Sequence, residues 1–307
     1  MKTRQLLTAA LTACVAAGLG ATAHAAVVFS SDLDTGAGFT VLGTADTASA
    51  FGYDYSADGI PSAPNGTGTT GLRLDANITT GTASQIAAVT TATFSAPLYT
   101  VTVDAWVNAN GPFPGGGGGS TEFGGLGVGH DGVTAGLNGG SFIYTGEGGS
   151  SRDYRMYKDD GEQFIASTQY ATVSNNGSDP AYATAFPGLG APASQGQTGT
   201  TSDGAGGFQW MTIVATVDTV AGTVNYTITS DTSGNTVEVG TLDSNIGSSF
   251  ATSGSASILY ADLFTSVSDN SALSFGVFDN FVVEEIPEPS SLALLGLGGL
   301  ALLRRRR

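Results

Sequence analysis

Few residues in the body of this chain have the types and spacing to do chemistry. His130 sits in Gly129-His130-Asp131-Gly132, and the other histidine, His24, lies near the N-terminus. A Ser-His-Asp relay would have to use His130, yet no Gly-x-Ser-x-Gly turn accompanies it. A histidine between glycines reads more simply as a loop or edge-strand residue. Asp159, Asp160 and Glu162 cluster in Tyr157-Lys158-Asp159-Asp160-Gly161-Glu162. Carboxyl groups about 5–10 Å apart can hydrolyse glycosidic bonds, but Asp-Gly beside a strand is an ordinary turn, and a charged turn is expected. Zinc needs three or four His, Cys or carboxylate ligands, and the one cysteine, Cys14, is far from the domain body. Calcium takes oxygen ligands. Asp32-Leu33-Asp34 and Asp279-Asn280 supply them, so Asp32, Asp34 and Asp279 are the candidates for a structural calcium, beside the plainer reading of solvated carboxylates. No other cofactor is expected. Arg152-Asp153-Tyr154-Arg155-Met156-Tyr157-Lys158 is the one basic, aromatic-rich stretch. Arg152, Tyr154, Arg155 and Tyr157 could stack on and hydrogen-bond a sugar. The structural alternative is an edge strand whose charges oppose aggregation.

Composition limits the partners. The whole chain carries a formal charge of −16, but six of its ten basic residues lie in the two ends. Between Ala26 and Pro287 only Arg73, Arg152, Arg155 and Lys158 face 25 acidic residues. Such a surface repels nucleic acid and anionic lipid. Solubility outside the cell accounts for it, and a diffuse attraction for divalent cations follows from it. Glycine reaches 46 residues, yet 15 Phe, 10 Tyr and 2 Trp supply the apolar area a folded core requires.

The elements that position these residues read as strands. Leu72 to Ile78 alternates apolar and polar residues, as a half-buried strand does. Tyr99, Val101, Val103, Ala105 and Val107 form one stripe opposite Thr100, Thr102 and Asp104. Met211 to Val217 and Val224 to Ile228 form two more, joined by Asp218 to Gly222 with the length of a hairpin turn. Phe275 to Glu285 begins apolar on both faces, as a central strand would. No amphipathic helix of about ten residues or more is expected. Asn108 to Ser120, with Gly115 to Gly119 unbroken, and Ser174 to Gly207 read as loops, the second mobile and solvated. The expected fold is all-β, an antiparallel β-sandwich spanning 26–285.

Both ends carry addresses. Lys2 and Arg4 precede an apolar stretch and Ala23-His24-Ala25, the order of a secretory signal peptide covering 1–25, cleaved between Ala25 and Ala26. A rival reading makes Leu11-Thr12-Ala13-Cys14 a lipoprotein box. At the other end, residues 286–307 hold Pro287-Glu288-Pro289, an apolar run from Leu292 to Leu303, and Arg304, Arg305, Arg306 and Arg307. The prolines keep the triplet extended. As a short apolar helix the run is about 18 Å long, against a hydrocarbon core of about 30 Å, and the arginines place its end on the cytoplasmic side.

The triplet, apolar run and arginine cluster together resemble the PEP-CTERM sorting signal of Gram-negative bacteria. The resemblance implies export through the Sec machinery, transient anchoring in the inner membrane, and processing by an exosortase. Delivery to the cell surface or an exopolysaccharide matrix then follows. Gly207 to Tyr226 resembles the tryptophan-led hairpin of concanavalin A-like and laminin G-like jelly rolls, and Phe278 to Val283 resembles their closing strand. That resemblance implies a jelly roll whose last strand pairs with the first, near Val27 to Phe29. The Glu-x-Asp-x-Glu strand of laminarinase-type jelly rolls has no counterpart here. The leading expectation is a non-enzymatic structural or adhesive surface protein; the alternatives are a lectin-like carbohydrate-binding module, calcium-assisted or not, and a glycoside hydrolase or lyase.

Overall fold

The computed structural model describes residues 25–287. Two antiparallel sheets pack face to face as a β-sandwich. The larger, eight-stranded sheet runs in space β13 (Thr236–Asp243), β12 (Thr223–Ser230), β11 (Met211–Asp218), β6 (Leu98–Asn108), β15 (Phe275–Glu285), β4 (Thr70–Ala76), β3 (Thr47–Asp54). Its eighth strand, β1 (Ala26–Ser31), pairs with the second half of β15. The seven-stranded sheet runs β10 (Gly161–Gln163), β9 (Tyr154–Lys158), β8 (Gly140–Thr145), β7 (Glu122–His130), β14 (Ser255–Asp262), β5 (Ser84–Thr90), β2 (Phe39–Gly43).

Period-two alternation dictates what faces inward. Val101, Val103 and Ala105 of β6, Ile213 and Ala215 of β11, and Tyr226 and Ile228 of β12 meet Leu126, Phe142, Tyr144, Tyr154 and Ile258 from the other sheet in one core. The buried tyrosines solve their polar ends by donating to main-chain carbonyls. Tyr144 reaches Ala105 at 3.1 Å, Tyr226 reaches Gly140 at 2.7 Å, and Tyr154 reaches Gly204 at 2.7 Å. The expected hairpin at Asp218 to Gly222 joins β11 to β12 in continuous register. Gly124 of β7 marks a close approach of the sheets: a Cβ there would lie 2.8 Å from a Val107 methyl group.

β15 is central, as its two apolar faces imply. β6 lies along one side for its whole length, and β4 and β1 share the other side. Ala26 is the Cα partner of Glu285, so the chain enters and leaves this domain side by side. Phe281 of β15 meets Phe29 and Phe39 edge-on, with ring centroids 5.9 and 5.5 Å away.

Two expectations need correction. Segment 174–207 is packed, not solvated. It contains a short helix, α1 (Pro180–Ala185), capped by Asp179. Tyr182 is buried and stacks on Tyr154 at 3.8 Å between centroids, and Phe186 is buried beside them. Its glycines and prolines shape a loop that closes one corner of the sandwich, because its aromatics supply the apolar area. The stretch 154–158 is not an edge strand, since β10 covers its outer side. Its five residues are all buried. Lys158 hides its charge by donating to the carbonyls of Asp243, at 2.7 Å, and Ile246.

Replacing Tyr182 with Ala removes a fully buried ring and is expected to cost about 3 kcal/mol. Urea unfolding checks this, and protease should nick the 174–207 segment faster in the variant. An unchanged midpoint would mean the segment contributes no packing.

Candidate functional site

The outer face of the larger sheet has two characters. Toward the end where β15 begins, Trp106 and Trp210 lie under the segment that follows β3, their rings 5.9 Å apart. Trp210 Nε1 donates to the Pro61 carbonyl at 2.8 Å and fixes that segment in place. Toward the tail the face is bare, and its outward side chains are largely threonines. The border between the two is polar.

Asp104, Asp279, Asn65, Thr212 and Asn280 build that border. Asp104 and Asp279 are Cα partners on β6 and β15. Like charges placed opposite each other repel, so each carboxylate needs its own donors. Asp104, fully buried, accepts from the Asn65 main chain at 3.1 Å and its amide at 2.8 Å, from Thr212 at 2.6 Å, and from Asn280 at 2.9 Å. Asp279, also buried, accepts from the Tyr55 hydroxyl at 2.9 Å. Burial pushes its carboxyl up to about 6, against the pull of Tyr55 and the Asn280 N–H; the Asp104 and Asp34 carboxylates add to the rise. A bulge aims Asn280 at Asp104: the β15–β6 register shifts between Asp279 and Val282, and Asn280 takes a positive φ of 53°.

Beside this network runs a groove of about 720 Å³ lined by Asp32, Asn65, Thr102, Thr212, Asn280 and Glu284. It presents hydroxyls, amides and carboxylates from strands and from the segments that flank them, a donor and acceptor set suited to a hydroxyl-rich ligand.

The residues singled out from sequence fall in several places. Pairing of β1 with β15 brings Asp32 and Asp34 to the same side as Asp279. Asp32 and Asp34 are exposed, and Asp32 accepts from the Asp34 N–H at 3.1 Å in a local turn. Asp279 is already engaged by Tyr55. Among the described residues no group of three or more His, Cys, Asp or Glu side chains is arranged to hold a metal ion.

Tyr154 and Tyr157 are 0% and 5% exposed, so neither ring offers a face to a sugar. Tyr154 serves the intersheet core, and Tyr157 packs on the outer face of the smaller sheet with Phe123 and Ile143. Arg155 is buried over the Phe123 ring at 4.7 Å and pairs with Glu162 at 3.3 Å. Arg152, the most exposed of the four, pairs with Glu162 at 3.2 Å. Asp159 sits in the turn between β9 and β10 with φ of 50° and accepts from the Gly139 N–H at 3.0 Å. His130, at the end of β7, is buried and accepts from the Gly132 N–H at 2.9 Å; burial lowers its pKa.

Sequence reading missed Asn65, Asp104 and Thr212. Asp104 sits on the polar stripe of β6 and so looked solvent-facing. Only the folded segment above it removes it from water.

Ala25 and Pro287 are exposed. The Ile286 N–H donates to the Leu98 carbonyl at 3.0 Å, which carries the ordered ladder up to the residue before Pro287. Glu288, Pro289, Arg304 to Arg307, Cys14 and residues 1–24 lie outside the described residues. Among the described residues no helix is long and apolar enough to cross a membrane.

Residues 285–307 match the PEP-CTERM protein-sorting motif, which implies export sorting. No curated protein matches the chain. Its fold is similar to that of a Bacillus subtilis protein of unknown function with a galectin-like fold, at 13% identity and a TM-score of 0.45 over 87% of this chain and 99% of that one. It is also similar to lectin II from Ulex europaeus, at 13% identity and a TM-score of 0.35 over 83% and 96%. A Lotus tetragonolobus seed lectin gives 8% identity and a TM-score of 0.39 over 87% and 100%.

The raised carboxyls set a pH dependence. Asp279 and Asp153 are each pushed up to about 6, and burial raises Glu147 and Asp262 as well. Between the ordinary carboxylate range, about 4, and pH 6 the folded chain therefore binds more protons than the unfolded one. These carboxyls make stability fall as pH rises through that window, and together they outweigh His130, whose lowered pKa contributes in the opposite sense below about pH 6.5. With divalent cations removed, the thermal midpoint is expected to be higher at pH 5 than at pH 7.5, and Asp279→Asn should reduce the difference. A midpoint that rises with pH across this range would refute the assignment.

Proposed function

We propose that this chain is an exported, non-enzymatic β-sandwich, sorted through its tail to the cell surface or an exopolysaccharide matrix, where it adheres to glycan through the groove beside Asp104. The observation that carries the reading is the junction between domain and tail. Glu285 pairs with Ala26, Ile286 is bonded to Leu98, and the sorting triplet begins at the next residue.

Five residues, Pro287 to Ser291, separate Ile286 from the apolar run. Fully extended they span about 17 Å. While the run is in the inner membrane, the tail-bearing end of the sandwich is therefore held close to the bilayer. The opposite end and the polar face remain open to the surroundings.

The groove favours a sugar polymer by its chemistry. Adjacent hydroxyls of a sugar can each donate to Asp32, Glu284 or an amide oxygen and accept from Thr102 or an amide N–H. The acidic surface disfavours an anionic polymer, so the expected ligand is a neutral or cationic polysaccharide. Asp159, Asp160 and Glu162, the carboxylates weighed for hydrolysis, lie at the β9–β10 turn, where Glu162 is neutralised by two arginines.

Replacing Pro287, Glu288 and Pro289 together by Ala is expected to leave folding unchanged and to block tail processing in an exosortase-positive host. Intact mass spectrometry reads the C-terminus; the same processed mass in variant and parent would refute the sorting role. Asp32→Ala with Glu284→Ala, both at the groove rim, is expected to weaken binding to the purified host matrix polysaccharide by about tenfold, or about 1.4 kcal/mol. Titration calorimetry measures this, and equal affinities would remove the groove from the account.

A further inference from the structure

The end of the sandwich opposite the tail holds a second acidic group that the groove does not use. Glu122 opens β7 and Asp262 closes β14, and the two are Cα partners in the ladder. Both continue inward stripes: Glu122 precedes Gly124 and Leu126, and Asp262 follows Ile258 and Tyr260. They are 2% and 1% exposed.

Their surroundings leave acceptors open. No hydrogen bond of normal geometry reaches either Glu122 carboxylate oxygen, and the neighbouring Tyr260 hydroxyl, which makes none either, lies close enough to act only as a weak donor to Glu122. Asn77, fully buried, donates its amide nitrogen to Asp262 and to the Ser266 carbonyl, the latter at 3.0 Å, while its Oδ1 has no partner. The nearby Glu147 adds negative potential. The cations of the domain are committed elsewhere: Arg73 to Asp75 and Asp58, Arg152 and Arg155 to Glu162, Lys158 to main-chain carbonyls.

Asp262 also accepts from the Phe264 N–H at 2.7 Å, but two buried acids opposite each other with no counter-charge remain costly. A proton on Glu122 would remove one charge. It would still leave the buried Asn77 Oδ1 without a donor and Glu122 with only the weak contact of Tyr260. A cation satisfies several acceptors at once. Every open ligand atom here is oxygen, and the set mixes carboxylate, amide and hydroxyl, which suits calcium better than a softer metal. A solvent-open cavity of about 560 Å³, lined by Gly119, Thr121, Asp262 and Ser266, comes up to the Asp262 side of the pair.

We propose that Glu122, Asp262 and the Asn77 carbonyl oxygen bind one calcium ion at the end of the sandwich opposite the tail. The ion joins β7 and β14 of the smaller sheet to the residue after β4 of the larger one, and so fastens the two sheets together. This places calcium away from the Asp32, Asp34 and Asp279 positions that sequence alone suggests.

The test uses the full chain, stripped with chelator and titrated with calcium chloride by calorimetry, alongside thermal unfolding in calcium, magnesium or chelator. One calcium per chain and a higher midpoint in calcium than in chelator are expected. Glu122→Gln and, separately, Asp262→Asn should each weaken binding by more than about tenfold, while the Asp32→Asn, Asp34→Asn double variant should bind like the parent. Asn77→Ala gives a third reading should either acid variant fail to fold. No heat and no midpoint shift in the parent would overturn the site. So would parent-like affinity in the folded variants. A Glu122→Gln chain more stable than a parent that binds no calcium would identify Glu122 as a protonated carboxyl only.

Discussion

The sandwich depends on β15, the strand that runs directly into the tail. β6, β4 and β1 all hydrogen-bond to it, and Phe278, Phe281 and Val283 on its inner face belong to the core. The larger sheet cannot be continuous until this strand is in place. Its pairing with β1 joins residues from opposite ends of the domain, so the closure entropy is met late and repaid only by the finished core. A chain exported from its N-terminus would complete its fold only when the segment next to the sorting motif arrives. Folding of the domain and arrival of the segment that precedes the sorting motif are thereby linked through a single strand.

A second constraint is the shortage of cations. With four basic residues against 25 acids between Ala26 and Pro287, most carboxylates that the fold buries must be held by neutral donors. Asp104 is held by Asn65, Thr212 and Asn280; Asp279 by Tyr55; Glu147 by Ser120 and Thr121. The arginines and the lysine are themselves buried or half-buried, pressed against rings or carbonyls. Polar side chains consequently collect where loops fold over sheet faces, and both the groove and the Glu122 site arise at such places.

The fold was legible because strand periodicity is local. The stripes of β6, β11 and β12, the Asp218 to Gly222 hairpin and the central character of β15 follow from residue alternation alone. What was hidden depends on loops returning over the sheets. The 174–207 segment looked solvated because Gly, Pro and Ser dominate it, yet Tyr182 and Phe186 decide its packing. Asp104 looked exposed because alternation names a face and cannot say what covers it. Tyr154 and Tyr157 looked like a sugar platform because their neighbours are charged, although β10 and α1 enclose them. Glu122 and Asp262 did leave a signal: each is an acid placed in phase with an apolar stripe, where alternation predicts a hydrophobic residue.

The three features on which the proposals rest are spread along the long direction of the strands. The tail leaves beside Ala26, the groove opens midway along the flat face, and the Glu122 site lies at the far end. Under the proposed sorting, the short link from Ile286 to Leu292 holds an acidic domain near an anionic membrane surface, within a few Debye lengths of about 8 Å. Repulsion between them then turns the free end outward and keeps the groove from lying on lipid. Were that link cut, the same repulsion would favour departure from the membrane with no change in the fold, because the ordered ladder already closes at Ile286, on the domain side of the link.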